Sequence, residues 1–153
     1  LHGGFPEIKG PAIQGNEHGS AQGTLIGGNL SIVYSLLGTD DMYSFDDSIL
    51  FVEDLAEQLY HLDRMFYALK KTGALSKIKG IIIGGMTDLE DTDNPTGFSI
   101  EEIVSQHFNY SKIPICYQFP IGHFPDNRSV IVGEKVHLSV SESGSKLSYL
   151  NSF

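Results

Sequence analysis

The chain has 153 residues, of which 41% are hydrophobic and 19% charged, against a usual charged share of about a quarter. That composition supports a buried core and excludes intrinsic disorder, and no apolar run approaches the ~20 residues that cross a bilayer. Ten Lys and Arg against 19 Asp and Glu leave a net charge of −9, which repels phosphate backbones and anionic lipids, so neither nucleic acid nor a membrane is an expected partner.

Cys116 is the single cysteine. It can form no internal disulfide and no Cys-rich metal framework, and it fits a reducing compartment. The chain opens on Leu1 rather than Met and shows no secretory signal; it reads as a piece of a larger protein. Residues 1–20 carry Gly3, Gly4, Pro6, Gly10, Pro11 and Gly15 without a period of 2 or 3.6. They read as a linker or lead-in, followed by one domain over 21–153.

Thr24 to Ile26 predicts a short strand closed by Gly27-Gly28. Asn29 then caps a helix carrying Leu30, Ile32, Val33, Leu36 and Leu37, which stops at Gly38. Ile49 to Val52 is a continuous apolar run, the pattern of a strand covered on both faces. It ends on Glu53-Asp54, where Asp54 is placed to cap the next helix with Glu57 as its capping-box partner. That helix shows a stripe at Leu55, Leu59, Leu62, Phe66 and Leu69 and ends near Thr72-Gly73.

Ile78 to Ile83 predicts a second buried strand before Gly84-Gly85. Thr87 to Gly97 is an acidic loop, and Ser99 with Glu102 opens a helix to about Phe108. Ile113 to Phe119 predicts a third strand. Ser129 to Val132, Lys135 to Val140 and Lys146 to Leu150 read as antiparallel strands, joined by turns at Gly133-Glu134 and Ser143-Gly144. The class is therefore α/β, with its antiparallel strands at the C-terminus.

Chemistry concentrates at strand ends. Glu53 sits where a buried strand gives way to a helix, the edge at which ligands gather in open α/β sheets. The alternative is an acid favoured by a helix N-terminus. His123 lies in the loop Phe119-Pro120-Ile121-Gly122-His123-Phe124-Pro125-Asp126-Asn127, stiffened by two prolines and a glycine. An imidazole there suits general-base work, and a packed surface histidine is the plain alternative. If the fold brings Glu53 and His123 together, they form two-thirds of a hydrolytic triad without its nucleophile. No Gly-x-Ser-x-Gly elbow occurs, the serines read as caps, turns or strand residues, and Cys116 reads as inert core.

The remaining features read as structural. Asp88, Glu90, Asp91 and Asp93 lack the glycine and terminal glutamate of a calcium loop. His61, His107 and His137 show no ligand spacing. Arg64 is expected to pair with an acid on a facing element. Gly27-Gly28 ahead of a helix could cradle an anion.

Taken in order, Gly27-Gly28-Asn29-Leu30, Leu36-Leu37-Gly38-Thr39, Glu53-Asp54, Asp63-Arg64-Met65, Gly80 to Asp88, and Gly122-His123-x-Pro125-Asp126-Asn127 resemble the C-terminal domain of the LD-carboxypeptidase family of serine peptidases. The likeness runs from about Gly23 to Leu150. That family includes muramoyltetrapeptide carboxypeptidases and microcin-immunity peptidases.

The resemblance implies a swivelling β/β/α-type domain with a mostly parallel sheet, helices on one side, and a Ser–His–Glu triad shared between two domains. Glu53 matches the orienting glutamate and His123 the base. Gly28 and Asn29 match a loop lining the substrate cleft. The serine belongs to an N-terminal domain that has no counterpart in this chain, which makes that domain the expected partner. The implied function is removal of the terminal D-alanine from murein tetrapeptides in the cytoplasm during cell-wall recycling, with no metal or organic cofactor. Family members often form homodimers, though an excised half need not. The excised half is expected to be inactive alone. The open alternatives are a microcin-immunity type of peptidase, a non-catalytic binding module on the same scaffold, and an ordinary α/β interaction domain.

Overall fold

The apolar runs form neighbouring parallel strands. The computed structural model describes residues 7–93, 95, 97–108 and 111–150. Of the sequence features above, Leu1, Gly3, Gly4 and Pro6 of the lead-in and residues 94 and 96 of the acidic loop lie outside the described residues. In chain order the elements are β1 (Ile8–Gly10), β2 (Gly19–Asn29), α1 (Leu30–Leu36), β3 (Ser48–Leu55), α2 (Leu59–Lys71), α3 (Ala74–Lys77), β4 (Gly80–Thr87), α4 (Ile100–Phe108), β5 (Ile115–Cys116), β6 (Lys135–Ser141) and β7 (Gly144–Tyr149).

The strands make one seven-stranded sheet in the order β1-β7-β6-β2-β3-β4-β5. β2, β3, β4 and β5 pair in parallel, while β2 with β6, β6 with β7, and β7 with β1 pair antiparallel. Strand alternation divides the core. Leu50, Val52, Ile81 and Ile83 face the helices and pack with Leu62, Phe66, Leu69, Ile103 and Val104. Leu25, Ile49, Phe51 and Ile82 face the other way and pack with Phe119, Val136, Leu138 and Leu147.

Among the described residues no helix covers that second face; the sheet buries it by curling on itself. Glu17 and Ile115 exchange backbone hydrogen bonds of 2.9 and 3.1 Å, tying the segment between β1 and β2 to β5 at the far edge. Gly10 of β1 lies so close to Phe119 that a Cβ there would stand 2.6 Å from its ring. Residues 8–20 are therefore not an irregular lead-in. Ile8–Gly10 pairs with Leu147–Ser145 of β7, and Gly19 already lies in β2.

Other departures have identifiable causes. The strand expected over Ile113 to Phe119 is only Ile115–Cys116, because Pro114 has no N–H to donate and the Tyr117 N–H goes to Asn16 Oδ1 at 2.9 Å. Gln118 then turns out of the sheet at φ 53°. Ser129 to Val132 forms no ladder: the Ile131 N–H donates to the Tyr149 hydroxyl at 2.7 Å, and Val132 is 52% exposed. Leu55 falls outside the α2 stripe and is exposed, with Met65 buried beside Leu62, Phe66 and Leu69. The helix α4 capping box forms as its sequence predicts, Ser99 N to Glu102 Oε2 at 2.8 Å and Glu102 N to Ser99 Oγ at 3.2 Å. Among the described residues no helix is long and apolar enough to cross a membrane.

Burial pushes the Cys116 thiol up to about 12, against a weaker opposite effect of the Ser145 hydroxyl. Thiolate is the reactive form, so a thiol reagent at neutral pH is expected to leave native Cys116 unmodified and to label it fully in denaturant. Fast labelling of the native chain would contradict this packing.

Candidate active site

Glu53 and His123 are 70 residues apart, and two local distortions bring them together. Between the register pairs Val52–Ile83 and Asp54–Met86, one residue of β3 (Glu53) faces two of β4 (Gly84 and Gly85). Such a bulge re-aims the side chains around it. Beyond β5, the chain continues beside β4: the Phe119 N–H donates to the Ile83 carbonyl at 3.1 Å and the Gly85 N–H to the Ile121 carbonyl at 2.8 Å. Gly85 and Gly122 then meet as a bridge.

Absent side chains permit this approach. A Cβ on Gly122, which has φ 86°, would stand 2.5 Å from Glu53 Cβ and 2.9 Å from its Oε2. A Cβ on Gly85 would stand 2.8 Å from the His123 backbone nitrogen. Asn127 closes the loop from behind, accepting the Gly122 N–H on Oδ1 at 3.1 Å, and Arg128 N–H donates to the Pro120 carbonyl at 2.8 Å. The Arg128 guanidinium grips Asp126 at 2.9 and 3.0 Å and holds its carboxyl below the usual range.

The outcome is a 2.6 Å hydrogen bond between His123 Nδ1 and Glu53 Oε2. A carboxylate only accepts, so Nδ1 carries the shared proton and Nε2 of the neutral ring keeps a lone pair. The Glu53 side chain is 12% exposed and that of His123 44%. The carboxylate is sheltered and the imidazole reaches an open face. A neighbouring pocket of about 260 Å³, with Gly84, Gln118 and Phe124 in its wall, is lined by neither side chain.

Two other histidines hold carboxylates, in settings that differ. His61 Nδ1, in the first turn of α2, lies 2.9 Å from Oε2 of Glu57, four residues earlier and just ahead of the helix, an ordinary local pair. His107 Nε2 lies 2.8 Å from Asp63 Oδ1, clamping α4 to α2 with its side chain only 7% exposed. His123 alone of these three sits on a loop past the carboxyl ends of the parallel strands.

Asn29 is the register neighbour of Glu53 on β2. It caps α1 as predicted, its Oδ1 accepting from Ile32 N at 3.2 Å. Gly28 (φ 149°) faces open space. Asp54 departs from expectation: β3 runs on to Leu55, and the carboxylate turns back to α1, accepting from Asn29 Nδ2 at 2.9 Å and Ser31 N at 3.0 Å. The start of α2 has Gln58 as an N-cap without a side-chain bond, and the Leu59 N–H donates instead to the Glu90 carbonyl of the acidic loop at 3.0 Å. Arg64 lies over the Tyr60 ring at 5.4 Å rather than on a facing acid. The roles of Asp54 and of the glycine floor were missed by sequence reasoning; paired glycines at one strand end and a lone glycine before a histidine were the available signal.

Residues 22–138 match the family model described as the LD-carboxypeptidase C-terminal domain. The chain belongs to the LD-carboxypeptidase family. It is 32% identical over 124 residues to a Bacillus subtilis protein named "probable murein peptide carboxypeptidase", covering 81% of this chain and 39% of that protein. A muramoyltetrapeptide carboxypeptidase from Oxalobacter formigenes superposes with a TM-score of 0.84 at 30% identity, covering 93% of this chain and 48% of that one. The microcin C7 self-immunity protein MccF superposes at 0.78 and 22% identity over 90% of this chain and 41% of its own, a likeness of fold alone. The α/β architecture, with parallel central strands and antiparallel strands at the C-terminus, is thus that of the family's C-terminal domain.

Gly122→Ala would force a Cβ onto Glu53 at a positive φ. We expect it to lower stability by at least ~1 kcal/mol in chemical denaturation and to shift the His123 ring resonances. An unchanged midpoint with unchanged resonances would contradict the close approach described above.

Proposed function

We propose that this chain supplies the histidine and glutamate of a Ser–His–Glu triad in an LD-carboxypeptidase that removes the terminal D-alanine from murein tetrapeptides. The observation that carries the reading is the 2.6 Å contact from His123 Nδ1 to Glu53 Oε2, with Nε2 left on an open face. Relatives named for murein peptides and muramoyltetrapeptides at 32% and 30% identity support the substrate class.

The nucleophile comes from a second domain. Among the described residues no serine is bonded to His123, and the chain spans well under two thirds of the relatives it matches. In the reaction, the incoming serine hydroxyl attacks the carbonyl carbon of the L,D-peptide bond while His123 Nε2 takes its proton. The new imidazolium faces the Glu53 carboxylate, which holds the ring and offsets its charge. His123 then returns the proton to the departing D-alanine nitrogen as the C–N bond breaks. Water, deprotonated by His123 Nε2, then attacks the acyl carbon, and the proton passes to the serine oxygen as the ester C–O bond breaks. Asn29 and Gly28 line the cleft, and the parent works in the cytoplasm. A microcin-immunity activity is the second member of the family to assay, although the likeness to MccF reaches the fold only.

In the full-length parent, Glu53→Gln and His123→Ala are each expected to lower kcat/KM on a murein tetrapeptide by ~10³-fold or more. The 153-residue chain alone is expected to show no turnover. Near-normal activity of either variant would mean a binding module or a different catalytic pair, and turnover by the isolated chain would place the nucleophile within it.

A further inference from the structure

Glu53 and Asp54 are adjacent acids on one strand, and alternation sends them to opposite faces. Glu53 meets His123; Asp54 lies on the helical side and is only 3% exposed, the one charged residue in the buried set among the described residues. A carboxylate stays buried only when its oxygens are satisfied. Here Oδ1 accepts from Asn29 Nδ2 and the Leu55 N–H, both at 2.9 Å, and Oδ2 accepts from Ser31 N at 3.0 Å.

The Asn29 carboxamide is correspondingly constrained. Its Oδ1 accepts from Ser31 Oγ at 2.6 Å and from Ile32 N at 3.2 Å, while one Nδ2 proton goes to Asp54. An asparagine offers two donors and two acceptor lone pairs. Three of the four are committed, which leaves one Nδ2 proton, fixed in direction, without a partner among the described residues, on the residue whose register neighbour is Glu53.

We infer that Asp54 is a positioning residue that acts through Asn29: it locks the carboxamide so that its one free N–H is offered to an oxygen acceptor, a carbonyl or carboxylate of the bound peptide. The locking itself is independent of the peptidase reading; the identity of the acceptor rests on that reading. A purely structural Asp54 would instead stabilise α1 without regard to what Asn29 does.

Two measurements separate these cases. In the 153-residue chain, Asp54→Ala should narrow the shift difference between the two Asn29 Nδ2 protons and speed their exchange in NMR spectra, leaving the His123 ring signals in place. Retained order at Asn29 would overturn the inference whether or not any activity is found. In the full-length parent, with a murein tetrapeptide as probe, Asp54→Ala should lower kcat/KM by ~10-fold, with the pH profile unmoved. In an Asn29→Ala background the same change should cost almost nothing, because coupled residues are not additive. Additive losses would overturn the inference. Asp54→Asn keeps an oxygen for Asn29 Nδ2 and should recover most of the loss; should Asp54→Ala fail to fold, an Asp54→Asn protein that folds normally yet loses ~10-fold or more would count against it. A parent inactive on the tetrapeptide would count against the proposed function and leave the NMR result to decide the positioning.

Discussion

Glu53 and His123 can touch only because three residues around them have no side chain. Gly84 and Gly85 absorb the extra residue of the β3–β4 bulge, and Gly122 turns the loop at a positive φ against the face of Glu53. Every other feature of the site follows from that contact: the sheltered carboxylate, the fixed Nδ1 proton, and the Nε2 lone pair on an open surface. Hydrogen bonding from Asn127 and the Asp126–Arg128 pair stiffens the loop from the solvent side. An imidazole on a mobile loop would spend most of its time in unproductive orientations, and preorganisation of this kind is a large part of what a catalytic dyad contributes.

The same strand end carries a second task. Because neighbouring residues of β3 point to opposite faces, a single Glu-Asp pair serves the loop after β5 on one side and the start of α1 on the other. β2, β3 and β4 are thereby tied together at their carboxyl ends, and Asn29, Glu53 and His123 become parts of one rigid edge. The curled sheet below, closed by the Glu17–Ile115 bridge, holds that edge from the far side.

Much of this was legible in the sequence where local physics decides. Apolar runs gave β3 and β4, Asn29 and Ser99 gave helix starts, and the strand-end position singled out Glu53 and His123. What was not legible depends on partners distant along the chain. Asp54 has the spacing of a cap for α2 but finds the exposed amides of α1 nearer in space, and α2 borrows a carbonyl from Glu90 instead. Residues 8–20 look irregular because β1 is only three residues long and its pairing partner, β7, lies at the other end of the chain. Nor does periodicity reveal a bulge, since its signature is two glycines whose importance shows only when Ile121 and His123 pack over them.

The central claim is that Glu53 holds His123 by Nδ1 and leaves Nε2 bare. Long-range ¹H–¹⁵N NMR on the histidine rings of this chain, with the rings neutral, reads that directly. The account requires the neutral ring to carry its proton on Nδ1, with a hydrogen-bonded resonance far downfield that Glu53→Ala removes. A neutral ring protonated mainly on Nε2, indifferent to residue 53, would contradict it.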